Sequence, residues 1–323
     1  MEAEPAETRA SPPVVGRPSR LSPTSRECLR VFLTGATGYI GTAVAERLRG
    51  AGHEVSGLAR SDGAAARLFE AGVRPVRGDF TDPASVSAAA AVADGVISTG
   101  TTHDGKVDGA AVGAIIEALA GSGKPFIYTS GIWIQGDTGG AVVDETAPLK
   151  PAGRAVWRPA VEELVLSGAA RGVRSIVFRP AIVYGRGGGI LAELVESARR
   201  NGAAQYVGTG ENRWQLVHVD DLADLYLLAL ERAPAGTVLL AGAGDAIPVS
   251  RLAVAASRGA GAGGRTSAWP LEEARKSLGA YADALALDQQ TSSARARQLL
   301  GWRPHRPGPL EDLEHGSYAN RPA

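Results

Sequence analysis

A chain of 323 residues with 44% hydrophobic side chains has ample apolar content for a sizeable core, which excludes a disordered polymer. Its 34 basic and 34 acidic side chains cancel, so no net field draws nucleic acid or an anionic lipid surface, and neither is expected as a partner. The single cysteine, Cys28, excludes an internal disulfide, gives no metal-ligand spacing, and fits a reducing compartment.

Residues 1–28, rich in Pro, Ser, Glu, Arg and Ala without an apolar period, read as a disordered tail. They lack the apolar stretch of a signal peptide, and no run of about 18 apolar residues follows, so a cytoplasmic protein without a membrane span is expected. From Leu29 the pattern changes. Leu-Arg-Val-Phe-Leu (29–33) is a β-type run followed by a glycine turn, a helix over 39–49 and a second strand over 53–58. Helices over 62–71, 83–93 and 107–121 then alternate with strands over 73–77, 95–98 and 125–129. A helix over 160–170, a strand over 175–178 and a helix over 190–200 continue the alternation. This order predicts an α/β fold: a doubly wound parallel sheet (Rossmann) over 29–185 with a smaller C-terminal substrate lobe over 186–323, segments of which rejoin the core.

The sharpest motif is Thr-Gly-Ala-Thr-Gly-Tyr-Ile-Gly (34–41), with glycines at 35, 38 and 41 between a strand and a helix. The first permits a tight turn, the second lets the backbone approach a pyrophosphate, and the third allows close packing of helix on strand. The helix N-terminus offers unpaired N–H groups to phosphate oxygens. The second strand ends in Arg60-Ser61, where an acidic residue would bond the ribose 2′-OH of NAD and an arginine suits the 2′-phosphate of NADP. NADP is therefore favoured over NAD. Asp79-Phe80, after the third strand, can hold the adenine edge or cap the next helix.

The motif set resembles the extended short-chain dehydrogenase/reductase family, which includes the NAD-dependent epimerase/dehydratases. The resemblance rests on the glycine motif, Gly-Asp-Phe-Thr-Asp at 78–82 and Tyr-Thr-Ser-Gly at 128–131. Arg-Pro-Ala-Ile-Val-Tyr-Gly at 179–185, Val-His-Val-Asp-Asp-Leu-Ala at 217–223 and Leu-Gly-Trp-Arg-Pro at 300–304 extend it in collinear order. It implies that Gly35, Thr37, Gly38, Tyr39 and Ile40 wrap the pyrophosphate, that Ser98, Thr99 and Gly100 line the cofactor, and that Pro180 touches the nicotinamide end. It also raises the prospect of a homodimer.

In that family a tyrosine acts as acid or base, a lysine four residues later lowers its pKa, and a nearby hydroxyl holds the same substrate oxygen. Lysine occurs here only at positions 106, 124, 150 and 276, preceded four residues earlier by Thr102, Ala120, Thr146 and Glu272, so the pair is absent. Aligning the helix by its glutamate puts Arg154 in the place of the tyrosine and Arg158 in that of the lysine. A guanidinium stays protonated at working pH and makes a poor acid, although its fixed donors suit a ribose or an anion. Pro159 predicts that the helix begins there, after a non-helical turn. The remaining candidates for the acid/base work are Ser130, Tyr184 and His218, with His103 and Asp144-Glu145 behind them, and Trp133, Trp157 and Trp214 can wall a substrate or sit in the core. Three readings stay open: hydride transfer on a small organic metabolite, redox-neutral isomerisation or cyclisation on the same fold, and a non-catalytic NADP-binding regulator.

Overall fold

The computed structural model describes residues 27–319, so most of the segment expected to form a disordered tail lies outside the described residues. In chain order the first half comprises β1 (Arg30–Thr34), α1 (Tyr39–Gly50), β2 (Glu54–Ala59), α2 (Asp62–Glu70), β3 (Arg74–Arg77), α3 (Pro83–Ala91), β4 (Gly95–Ser98), α4 (Gly105–Leu119) and β5 (Pro125–Thr129). Then come β6 (Val142–Val143), α5 (Arg158–Ser167), β7 (Arg174–Pro180), β8 (Ile182–Tyr184), α6 (Ile190–Asn201), β9 (Ala204–Val207), β10 (Arg213–His218), α7 (Val219–Arg232) and β11 (Thr237–Ala241).

Seven strands form one parallel sheet in the order β11-β7-β5-β4-β1-β2-β3. β11, from the C-terminal half, pairs with β7 and closes that edge. Successive side chains along a strand point to opposite faces, and both faces of this sheet are covered. Val31 and Leu33 accordingly belong to one hydrophobic core and Phe32 to the other. α1 and α7 contribute Val44, Leu48, Leu222 and Leu225 to the first core, while α4 and α5 contribute Val112, Ile116 and Val165 to the second. Successive connections run outward in opposite directions from β1 and β4, which opens a crevice beyond their carboxyl ends.

Pro159 has the effect expected of it. α5 begins at Arg158, preceded by a short 3-10 turn over Gly153–Ala155, because a proline is accommodated in the first helical turn, where its missing N–H has no partner to lose. The expected strand over 175–178 runs further, to Pro180, and a second small sheet, in which β10 pairs parallel to β8, starts two residues later.

Candidate functional site

The glycine turn is shaped by close backbone approach. Gly35 has φ 72°, and a Cβ there would lie 2.5 Å from the Gly100 nitrogen. A Cβ on Gly41 would lie 2.1 Å from the Gly35 carbonyl oxygen, so α1 rests directly on the turn. Gly38 is the N-cap of α1, no side chain caps the helix, and its first turn carries no acidic residue. Thr37 and Gly38 are exposed. Uncapped N–H groups at the positive end of a helix, with no Cβ in front of them, suit a pyrophosphate.

The other side of the crevice is the end of β4. Ser98 is fully buried, its hydroxyl 3.0 Å from the Thr34 hydroxyl, and Thr99 donates to the Thr34 carbonyl from both its N–H (3.1 Å) and its hydroxyl (2.8 Å). Beyond it the loop is pinned by the buried carboxylate of Asp108, which accepts from the Thr101 hydroxyl at 2.5 Å, the Thr102 N–H at 2.8 Å and the Thr102 hydroxyl at 2.5 Å. His103 follows with φ 62°, a conformation uncommon for a residue with a side chain, and lines the cavity described below. Asp108→Ala strands three donors and is expected to cost about 2–3 kcal/mol. Hydrogen exchange should show lost protection at Thr102 and His103; a parent-like melting curve and protection pattern would show that the loop is held by other contacts.

At the ends of β2 and β3 the side chains have varied commitments. Ser61 caps α2 by accepting from the Ala64 N–H, and Asp62 is ion-paired with Arg77. The Asp79 carboxylate accepts the Thr81 N–H and hydroxyl, both at 2.8 Å, which holds it below the usual carboxylate range; nearby Arg60 adds to the effect. The Phe80 ring is buried in the core under α3 and α4. Arg60 keeps an exposed side chain.

From the start of α1 a cavity of about 280 Å³ extends toward α5 and α6. Tyr39 and Ile40 at the helix start, Ser130 after β5, Pro180 at the end of β7, Arg154 in the 3-10 turn before α5 and Arg158 at the start of α5 all line it. With His103 and Trp133, eight of the residues singled out in the sequence thus converge from five parts of the chain. The Ser130 hydroxyl is buried and has no hydrogen-bond partner among the described residues. A buried hydroxyl left without a partner is costly, and this one is closed off within the wall that Ser130 contributes to the cavity. Arg158 donates to the Thr129 carbonyl at 3.0 Å and lies 4.8 Å from the centre of the Trp157 ring, while Arg154 lies 5.1 Å from the centre of the Tyr281 ring. Burial, then the charges of Arg158 and Arg154, hold the His103 imidazole below its ordinary range. Trp133 forms part of the wall, braced edge-on by Tyr281 at 5.8 Å.

Two of the candidates stand elsewhere. Tyr184 is buried, donates its hydroxyl to the Pro307 carbonyl at 2.7 Å and packs edge-on against His218. His218 caps α7, its Nδ1 accepting from the Asp220 N–H, and its ring lies so close to Gly185 that a Cβ there would meet Nε2 at 2.4 Å. Neither lines the cavity, although Ile182 and Val183 of β8 both do; the Tyr184 hydroxyl and the His218 ring are committed to Pro307 and to the start of α7 instead. Trp214 is also buried, donating to the Leu285 carbonyl, and faces a different cavity of about 450 Å³ on the far side of α6.

The supports of the site were not singled out from the sequence. Arg179, next to Pro180, forms a buried ion pair with Glu162 of α5 at 2.7 Å and donates to the Gln135 amide oxygen at 3.3 Å. Buried Gln289 donates to the carbonyls of Ile132 and Gly136, tying the C-terminal lobe to the turn that carries Trp133. The only signal for these was a charged or amide side chain inside an otherwise apolar run.

A family model for the NAD-dependent epimerase/dehydratase family matches residues 31–242, from β1 through the end of β11. The chain belongs to that family. An uncharacterized protein of Schizosaccharomyces pombe is 35% identical over 306 residues, spanning 90% of this chain and 100% of that one. A 2-alkyl-3-oxoalkanoate reductase of Stenotrophomonas maltophilia is 25% identical over 244 residues, 69% of this chain and 73% of that enzyme. Among solved structures, a double mutant of the dTDP-glucose 4,6-dehydratase of Streptomyces venezuelae with NAD bound superposes with a TM-score of 0.75 at 18% identity, covering 90% of this chain and 96% of that one. Family membership makes the chain an oxidoreductase- or epimerase-like enzyme that uses a nicotinamide dinucleotide. No helix among the described residues is long and apolar enough to cross a membrane.

Proposed function

We propose that this family member is a cytosolic NADP-dependent oxidoreductase that reduces or forms a carbonyl on a small organic metabolite with a rebuilt acid/base site. The observation that carries the reading is the cavity beside the start of α1 that is lined by Arg154, Arg158 and Ser130, whose buried hydroxyl has no partner among the described residues. Gly35, Thr37, Gly38, Tyr39 and Ile40 would hold the pyrophosphate, with Ser98, Thr99 and Gly100 along the opposite wall and Pro180 at the nicotinamide end. Arg60 would take the 2′-phosphate, while Ser61, Asp79 and Phe80 flank the adenosine end. Bound there, the dinucleotide supplies a hydride donor or acceptor.

The protein's own part is orientation and charge. Ser130 donates to the substrate oxygen, and Arg158, in the place of the family's lysine, stabilises negative charge that develops on it. With Tyr184 and His218 turned away, the proton is handled by Ser130 or by water. The reductase name of the Stenotrophomonas relative supports a carbonyl as the reacting group. The test is NADPH consumption across a panel of ketones, enones and sugar nucleotides; saturable binding with no turnover of any of them would overturn the reading.

The preference for NADP over NAD rests on Arg60 being exposed while Asp62 is occupied by Arg77. Arg60→Asp is expected to weaken NADPH at least about tenfold while sparing NADH, since one charge-assisted phosphate contact is lost and a repulsive one gained. Equal effects on both dinucleotides in a binding titration would remove the basis for the preference.

A further inference from the structure

The cavity beside the cofactor cradle carries an unusual charge pattern. It is lined by Arg154 and Arg158 and by no aspartate or glutamate, and neither guanidinium is ion-paired among the described residues. Arg154 sits exposed at the mouth and Arg158 half-buried further in. His103, exposed at the same mouth, offers no compensating negative charge; burial and both cations hold its imidazole below its ordinary range, opposed by Asp108. Two guanidinium groups on a largely apolar hollow that no carboxylate lines give it a field that favours an anion.

The rest of the lining says what the anion is attached to. Ile132, Trp133, Ile182, Val183 and Ile190 form apolar walls. Among the described residues no asparagine, glutamine or threonine lines the cavity, and the only hydroxyl-bearing residues that do are Ser130 and Tyr39. The Tyr39 hydroxyl is already spent on the Gly185 carbonyl at 2.7 Å. A sugar would strand several hydroxyls against such walls, each at the cost of an unmade hydrogen bond, whereas an alkyl chain would not.

We propose that this cavity binds the carboxylate of an apolar organic acid, with the anion on the Arg154 guanidinium, the Arg158 charge behind it, and the carbon chain against Ile132, Trp133 and Ile182. This deepens the proposed function, resting on the same cavity being the substrate site, and restricts the substrate to small carboxylic acids bearing the reacting carbonyl or hydroxyl. It gives the two arginines at the family's tyrosine and lysine positions distinct tasks: Arg154 binds the acid, and Arg158 reinforces its field and stabilises the oxyanion.

The test compares hexanoate with its neutral isostere hexanamide by calorimetry on the full chain, both without dinucleotide and saturated with NADP. Hexanoate is expected to bind about tenfold more tightly, with a preference that shrinks at high salt because Arg154 is solvent-exposed. Arg154→Gln should erase the preference and Arg154→Lys should retain part of it. Equal binding of acid and amide, or a preference unchanged in Arg154→Gln, overturns the proposal. Tighter binding of hexylphosphonate than of hexanoate overturns the assignment to a carboxylate. Should Arg154→Gln fail to fold, the acid/amide comparison and its salt dependence in the parent protein decide alone. NADPH binding, followed separately by its own fluorescence, keeps the outcomes apart: its absence defeats the cofactor reading, whereas the acid preference measured without dinucleotide bears only on the anion site.

Discussion

Gly41→Ala is expected to lose NADPH binding by about 100-fold or more and to destabilise the fold by about 3 kcal/mol, the upper part of the range for forcing a methyl into a filled space. The Cβ would fall 2.1 Å from the Gly35 oxygen and 2.9 Å from the Ala36 Cα, both backbone atoms of the turn. No side chain can rotate away to make room, so α1 must lift from β1, carrying with it the uncapped N–H groups of the proposed cradle. Gly50, at the other end of the same helix, has nothing within 4 Å of where a methyl would stand. Gly50→Ala should therefore leave binding intact and raise stability by about 0.5–1 kcal/mol, the ordinary gain of alanine over glycine in a helix. Fluorescence titration with NADPH and urea unfolding measure both quantities; parent-like affinity in Gly41→Ala would show that the turn is not where the dinucleotide binds.

Glu162→Ala should be the most damaging single substitution near the cavity, at about 3–5 kcal/mol, the cost of leaving one member of a buried ion pair alone. Glu162 and Arg179 are 3% and 6% exposed, and Arg179 meets Glu162 through both Nε and Nη2. The pair joins three walls of the site: α5 one turn beyond Arg158, β7 just before Pro180, and, through Gln135, the turn carrying Trp133. Glu162→Gln keeps the shape and two acceptor lone pairs but removes the charge, so it should cost less. Replacing both partners with methionine should recover most of the loss, since an apolar pair of similar volume carries no desolvation penalty. Urea unfolding of the four proteins checks the order. If Glu162→Ala unfolds like the parent, the buried pair does not hold the walls together.

Much of the site was legible because its signals are local. The glycine spacing at 35, 38 and 41 acts within a few residues, between a strand and a helix whose own periodicities are visible. Arg154 and Arg158 could be placed through the family resemblance, by aligning the helix on its glutamate, and Pro159 marked where that helix begins. The directions of Tyr184 and His218 were not legible, because the deciding contacts come from elsewhere in the chain: the carbonyl that Tyr184 meets belongs to Pro307, and the space beside His218 is closed by Gly185. Asp108 carried no visible signal, since an acidic residue in the first turn of a helix is ordinary, and only the folded loop turns three donors onto it.

By itself the sequence determined that a doubly wound sheet presents a dinucleotide cradle and that no tyrosine and lysine stand four residues apart beside it, because propensity, glycine geometry and residue identity are properties of short segments. Tertiary structure decided which polar groups meet. Ser130, His103, Arg154 and Pro180 follow or precede different elements, and their side-chain directions depend on where the loops close, on a buried ion pair and on a buried amide. Those contacts turned a list of candidates into a cationic, apolar-walled cavity with the partnerless Ser130 hydroxyl buried in its wall.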